Sequence, residues 1–242
     1  MVQQLHAGLS FAAGLLLAAA PVAAQATDSI RLTGDLGIVN TAGNTDLTTI
    51  NVGEETRWRH GQLTLGQTFA VVYGRSGEET TSSLWRGGVR GDYALTAAVA
   101  GYASVTYDRD RFAGIARRFE EGVGIALGLI RRTRARLEAE TGLSLVQQRS
   151  TLGTRDDFAS TRAAVAYEHH FAEATYVRQM VEATVNLEDV SDYRVTTESA
   201  LVAPLSRRLA LKVTYVVRFD HRPEPGFRST DRLLTSGLQF TL

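Results

Sequence analysis

Charged side chains in this chain keep to alternate positions. Arg86, Arg90 and Asp92 are interleaved with Trp85, Val89 and Tyr93, and Arg136, Glu138 and Glu140 with Leu137, Ala139 and Thr141. Asp35, Glu55, Arg57, Asp108, Arg162, Glu168, Arg178, Glu182, Arg194, Glu198, Lys212 and Arg218 follow the same rule. Acids and bases on one face can pair into ladders that fill an interior, or stand around a pore and select ions. All basic residues except Lys212 are Arg. Arg suits ladders because its planar fork pairs bidentately with carboxylates. A genome rich in Arg codons would give the same bias.

Other groups offer less chemistry. Asp108 with Arg109, Asp110 and Arg111 could ring a mouth, but alternating signs cancel, and the string reads as a solvated loop. Asn44-Thr45-Asp46 carries oxygens that suit a hard cation. Beside Gly43 it reads better as a turn. His169 and His170 lie at one predicted turn and His221 in a loop at the opposite end. No Gly-x-Ser-x-Gly elbow or His-Glu-x-x-His spacing occurs, so neither a hydrolase nor a metal enzyme is expected. No catalytic, cofactor-binding or metal-binding residue is assigned. Pro223-Glu224-Pro225-Gly226-Phe227 is stiff, because each proline fixes its backbone angle. It reads either as a lid or partner-binding loop, or as a plain connector.

Alternation with period two means strands. About twelve can be traced, an even number of the kind bacterial membrane barrels use. The eleventh is the cleanest, with Leu209, Leu211, Val213, Tyr215, Val217 and Phe219 on one face. The last runs to the final residue, with Leu234, Leu238, Phe240 and Leu242 in phase. A strand that must close a barrel needs such a pattern. Polar loops are expected after odd strands, including 109–118, 148–157 and 221–230, and tight turns after even ones. Outer-membrane barrels show this asymmetry, with the loops outside. The apolar face carries Trp58, Tyr73, Tyr93, Tyr107, Tyr167, Tyr193, Phe219 and Phe240 near strand ends, as two interfacial girdles would. The expected fold is therefore all-β: a transmembrane antiparallel up-and-down barrel with apolar residues toward lipid and charges in the lumen. The alternative is a soluble sandwich or lipocalin-like barrel. Gly53, Gly66, Gly88, Gly122, Gly124, Gly142 and Ser144 on the charged face make tight closure easy.

Residues 1–24 read as a signal peptide and 25–242 as the barrel. Met1 to Thr27 hold no Lys, Arg, Asp or Glu, an apolar core precedes Pro21, and Val22-Ala23-Ala24 offers a cleavage site. The n-region has only His6 as a basic group. Later apolar runs fall short of the roughly 20 residues that a spanning helix needs. There is no Cys, and 26 basic residues balance 26 acidic ones. Disulfide, thiolate and nucleic-acid chemistry are not expected.

Several strings form a larger match: Val39-Asn40-Thr41-Ala42-Gly43-Asn44-Thr45-Asp46, Tyr107-Asp108-Arg109-Asp110-Arg111-Phe112-Ala113-Gly114, Asp192-Tyr193-Arg194 with Thr197-Glu198-Ser199-Ala200-Leu201, and Val213 to Asp220 leading into Pro223 to Phe227 and Thr230-Asp231. Over nearly all of the mature chain the sequence resembles the DUF481 or YdiY-like family, often labelled salt-induced outer membrane proteins. The resemblance implies an outer-membrane barrel without established enzymatic activity, substrate or cofactor. Its partners would be outer-membrane lipid and, during biogenesis, the barrel assembly machinery. That machinery commonly reads a terminal Phe or Tyr, whereas this chain ends in Leu242 with Phe240 two positions earlier. Two functions stay open: a small-solute or ion pore, with weak ion selectivity because the lumen charges cancel, or a closed structural or envelope-stress barrel acting through its loops.

Overall fold

The computed structural model describes residues 29–41, 47–76, 79–172 and 174–241. The signal segment, the Asn44-Thr45-Asp46 string and Leu242 lie outside them. Twelve strands close into one antiparallel barrel, each paired with its sequence neighbours and β1 with β12. They are β1 (Ser29–Thr41), β2 (Leu47–His60), β3 (Leu63–Ser76), β4 (Glu79–Ala94), β5 (Val99–Asp110), β6 (Ile115–Arg132), β7 (Ala135–Ser150), β8 (Arg155–His170), β9 (Tyr176–Asn186), β10 (Tyr193–Pro204), β11 (Leu209–Asp220) and β12 (Thr230–Thr241). Closure gives every strand a partner on both sides, which hydrocarbon surroundings demand.

Strands extend further at the loop end than the apolar pattern indicates. The loop expected at 109–118 shrinks to a short 3-10 turn at Arg111–Ala113, because β6 already begins at Ile115. The loop expected at 148–157 shrinks likewise, with β7 reaching Ser150 and β8 starting at Arg155. The ladder continues into water, where outward side chains can be polar. At the other end Gly61 takes φ 58° in the tight connection between β2 and β3.

The barrel is apolar outside. Leu36, Val52, Phe69, Val89, Val123, Leu143, Val165, Leu211 and Leu234 are among its exposed large side chains. Tyr107 packs on Phe119, and Tyr193 on Phe219, near the loop end. Trp58, Tyr93, Tyr167 and Phe240 stand near the turn end. This is a lipid-facing band between two aromatic girdles, and it removes the soluble alternative.

The seam where the chain closes is short. β1 meets β12 through the pairs Thr33–Thr241, Gly34–Phe240, Asp35–Gln239 and Leu36–Leu238. A methyl group at Gly237 would overlap the Leu36 carbonyl oxygen and the Gly37 backbone. Only glycine allows backbones this close. Gly237→Val is expected to abolish the heat-modifiable folded band on gels, whereas Gly101→Val, where a Cβ meets nothing within 4 Å, should keep it.

Candidate functional site

The inward face carries the charges in three tiers. At mid-height a belt runs along β4 to β9. The Arg90 guanidinium donates to Asp92 at 2.7 Å and to Glu140 at 2.9 Å. Glu140 also accepts from Arg162 Nη1 at 2.7 Å, and Arg162 Nε donates to Glu182 at 2.8 Å. Arg90 sits on β4 and Glu140 on β7, so their contact passes over β5 and β6.

Tyr102 makes that reach possible. It points inward from β5, buried to 7 % exposure, and its ring lies across glycines of the next two strands. A Cβ at Gly124 would stand 2.6 Å from the ring, and one at Gly142 2.5 Å from its Oη. Arg90 Cζ lies 4.0 Å above the ring centroid, a cation–π contact, and Arg162 donates to the hydroxyl at 3.3 Å. Glycine on a charged face reads from sequence only as free space, so Tyr102 escapes notice there. Gly124→Val is expected to displace the ring and uncouple Arg90 from Glu140. The check is tyrosine fluorescence of a Tyr102→Phe pair with and without the glycine change.

A second tier lies at the loop end. Arg86 grips Asp108 bidentately, at 2.7 and 2.9 Å. Arg218 Nη1 donates to Asp110 Oδ2 at 3.3 Å. Arg218 is on β11 and Asp110 on β5, with five strands between them in either direction. That contact therefore crosses the lumen. It is loosely held, because Arg218 Nε is buried without a hydrogen-bond partner. Arg109, read as part of a charged mouth, pairs with outward-facing Trp85 and turns away from the lumen. Arg111 is exposed in the 3-10 turn. Strand alternation, continuing one turn further than expected, separates them from Asp110.

The loop from 221 to 229 lies above this tier. A Cβ at Gly114, in the connection after β5, would stand 2.8 Å from the Glu224 Cβ and 3.1 Å from the Phe227 ring. The loop leaves β11 and touches the opposite rim, so it spans the mouth. Arg222 is paired with Asp189 in the β9–β10 loop, and His221 Nδ1 lies 2.7 Å from the Ser191 carbonyl oxygen. Under the loop a polar cavity of about 500 Å³ is lined by Arg118, Gln148, Asp157, Arg194, Asp220 and Arg222 among others.

Asp189 is held below the ordinary carboxylate range, chiefly by the Ser191 side-chain hydrogen bond, then by the Ser191 backbone and by Arg222. A depressed carboxylate stabilises its contacts above its unfolded pKa and loses them as pH falls through the folded value. The Arg222–Asp189 latch is therefore expected to survive below about pH 4, the ordinary Asp value, and to release in stronger acid. Proteolysis of the 221–229 loop against pH checks this. Onset of cleavage near neutrality would contradict it.

The third tier lies toward the turn end. Lys212 reaches over Gly237 of β12 to Asp35 of β1 at 2.5 Å, an ion pair laid across the closure seam. Arg57 pairs with Glu55 at 2.9 Å, and Arg136 approaches Glu168 at 3.8 Å. His170 lies 2.7 Å from Glu168, and His169, on the outward side with Tyr167, stacks on that ring and meets Phe171 edge-on. Glu138, Arg178, Arg194 and Glu198 share the inward face by strand register but join none of these pairs. Among the described residues no group of His, Cys, Asp and Glu is placed to hold a metal ion.

Exposure varies along the lumen. Toward the turn end Arg136 is 64 % exposed, Arg57 56 % and Glu55 47 %, whereas Lys212 and Asp35 keep 27 % and 25 %. The belt keeps 18–29 %, and Asp110 in the crossing contact keeps 15 %.

A model of the family described as "Protein of unknown function, DUF481" matches residues 34–242. No curated protein matches the sequence. Among solved structures, the chain is similar to an outer membrane channel from Pseudomonas putida F1, with TM-score 0.52, 9 % identity and coverage of 92 % of this chain and 98 % of the other. It is similar also to the NanC porin, with TM-score 0.50, 10 % identity and coverage of 88 % and 98 %. At such identities the likeness is one of fold.

Proposed function

The chain belongs to the DUF481 family, and from that premise and its lumen we propose that it is a narrow outer-membrane pore for ions or small polar solutes, constricted at its outer mouth. The water left to the inward charges carries this reading. A barrel plugged by its own side chains would hold its ion pairs dry along the full length. Here Arg57 and Glu55 are about half exposed, Arg136 is 64 % exposed, and the mid-height belt still meets water. Carboxylates and guanidinium groups desolvated together would cost more than their attraction returns unless fully satisfied. A wetted lumen avoids that cost. The fold shared with an outer membrane channel and a porin supports the reading. The two longest connections among the described residues, 187–192 and 221–229, lie at the same end, and that end is taken as the outer one.

Selectivity should be weak. The belt alternates Arg90, Glu140, Arg162 and Glu182, so a permeating ion meets both signs at one level. The test is single-channel conductance of the refolded mature protein in a planar bilayer, with folding confirmed by heat-modifiable mobility. Steady conductance with a reversal potential near zero in a salt gradient is expected. A folded but silent barrel would overturn the pore and leave a structural barrel acting through its loops.

A further inference from the structure

One carboxylate lies on the wrong side of the wall. Glu54 is central in β2 and pairs in register with Gly34 and Phe69. Its outward neighbours along the strand are Ile50 and Val52 on one side and Thr56 and Trp58 on the other. Inward-facing Gly53 and Glu55 flank it in sequence, so the strand period fixes its direction. Glu54 thus faces lipid about midway between the girdle residues Trp58 and Tyr73. Thr56 Oγ1 donates to one carboxylate oxygen, and Gln67 Nε2 lies 3.4 Å from the other. A second lipid-facing acid, Glu121, lies two residues from the girdle residue Phe119, close enough for its head to reach the interface. Glu54 has no such escape.

Two internal donors leave a carboxylate with unfilled acceptor sites, and Gln67 keeps a second N–H. Hydrocarbon supplies no partner for either. The patch carries acceptor and donor side by side, which is the requirement for a surface that pairs with itself about a two-fold axis. Gly34, adjoining Glu54, has nothing within 4 Å of a Cβ position, so a neighbouring wall can approach closely there. We propose that a second copy of this chain docks on the β1–β3 face within the membrane, each Glu54 accepting from the Gln67 of the other copy.

The chain has no Cys, so single thiols report proximity cleanly. Gly34→Cys, in vesicles of the full-length mature protein, is expected to give an oxidised dimer band. Val165→Cys, outward on the diametrically opposite β8 and 48 % exposed in the wild type, should give at least tenfold less. Adding Glu54→Leu should lower the Gly34→Cys yield at least tenfold, while heat-modifiable mobility shows an intact barrel. Adding Glu54→Gln, whose amide can still accept, should restore it. Equal yields from the two thiol positions, a dimer that persists with Glu54→Leu, or capture of a different protein would each overturn the proposal.

Discussion

Replacing residues 222–227 with a short Gly–Ser link will raise single-channel conductance roughly two- to five-fold, since a pore's resistance is set at its narrowest section. The loop joins β11 to β12 yet rests against Gly114 on the far rim, so it lies over the opening. Its latch is local, consisting of Arg222 on Asp189 and His221 on Ser191. Beneath it, the Arg218–Asp110 contact crosses the same opening. Arg218→Ala with the loop intact should raise conductance less than loop replacement does, because the cover remains. The double change should exceed either alone. Unchanged conductance in all three would mean that the narrowest section is the belt, and the outer tier would lose its role as constriction.

Glu140→Ala is expected to be the most damaging single change in the lumen. Glu140 accepts from both Arg90 and Arg162 and is 18 % exposed. Removing it leaves two guanidinium groups facing each other with half their partners gone. Uncompensated charges of this kind cost about 3 kcal/mol or more, read as a lower denaturant midpoint in refolding titrations. The lumen would also gain net positive charge at its central level. The reversal potential in a salt gradient should shift toward anions, whereas Arg162→Ala, which exposes Glu140 and Glu182, should shift it toward cations. Opposite shifts from these two variants place the belt on the conducting path. No shift in either would place the path along the opposite wall, past Glu198 and Lys212.

Much of this was written in the order of residues. Two-residue periodicity is a local property, so it identified both faces of every strand without knowledge of partners. By strand register the lumen charges proposed from sequence share the inward face, while Arg118 and Glu120, on the same face, went unnamed, and the aromatics named are those that stand near the strand ends. The run of alternation to the chain's end anticipated closure of β12 on β1. Local patterning erred where a strand leaves the membrane. At Arg109 and Ile115–Arg118 the outward side chains no longer need to be apolar, so polar residues concealed continuing strand. The same blindness passed over Glu54, an outward acid amid Ile50, Val52 and Trp58.

The sequence by itself determined the class of fold and the facing of most side chains within the wall. Which acid meets which base was decided only by the closed barrel. Strand tilt and register set which residues share a level, and no spacing along the chain encodes that. Arg90 finds Glu140 three strands away because Tyr102 lies flat on Gly124 and Gly142. Lys212 finds Asp35 because Gly237 leaves the wall bare between them. Arg218 finds Asp110 because the curvature of twelve strands brings opposite walls within reach of two side chains.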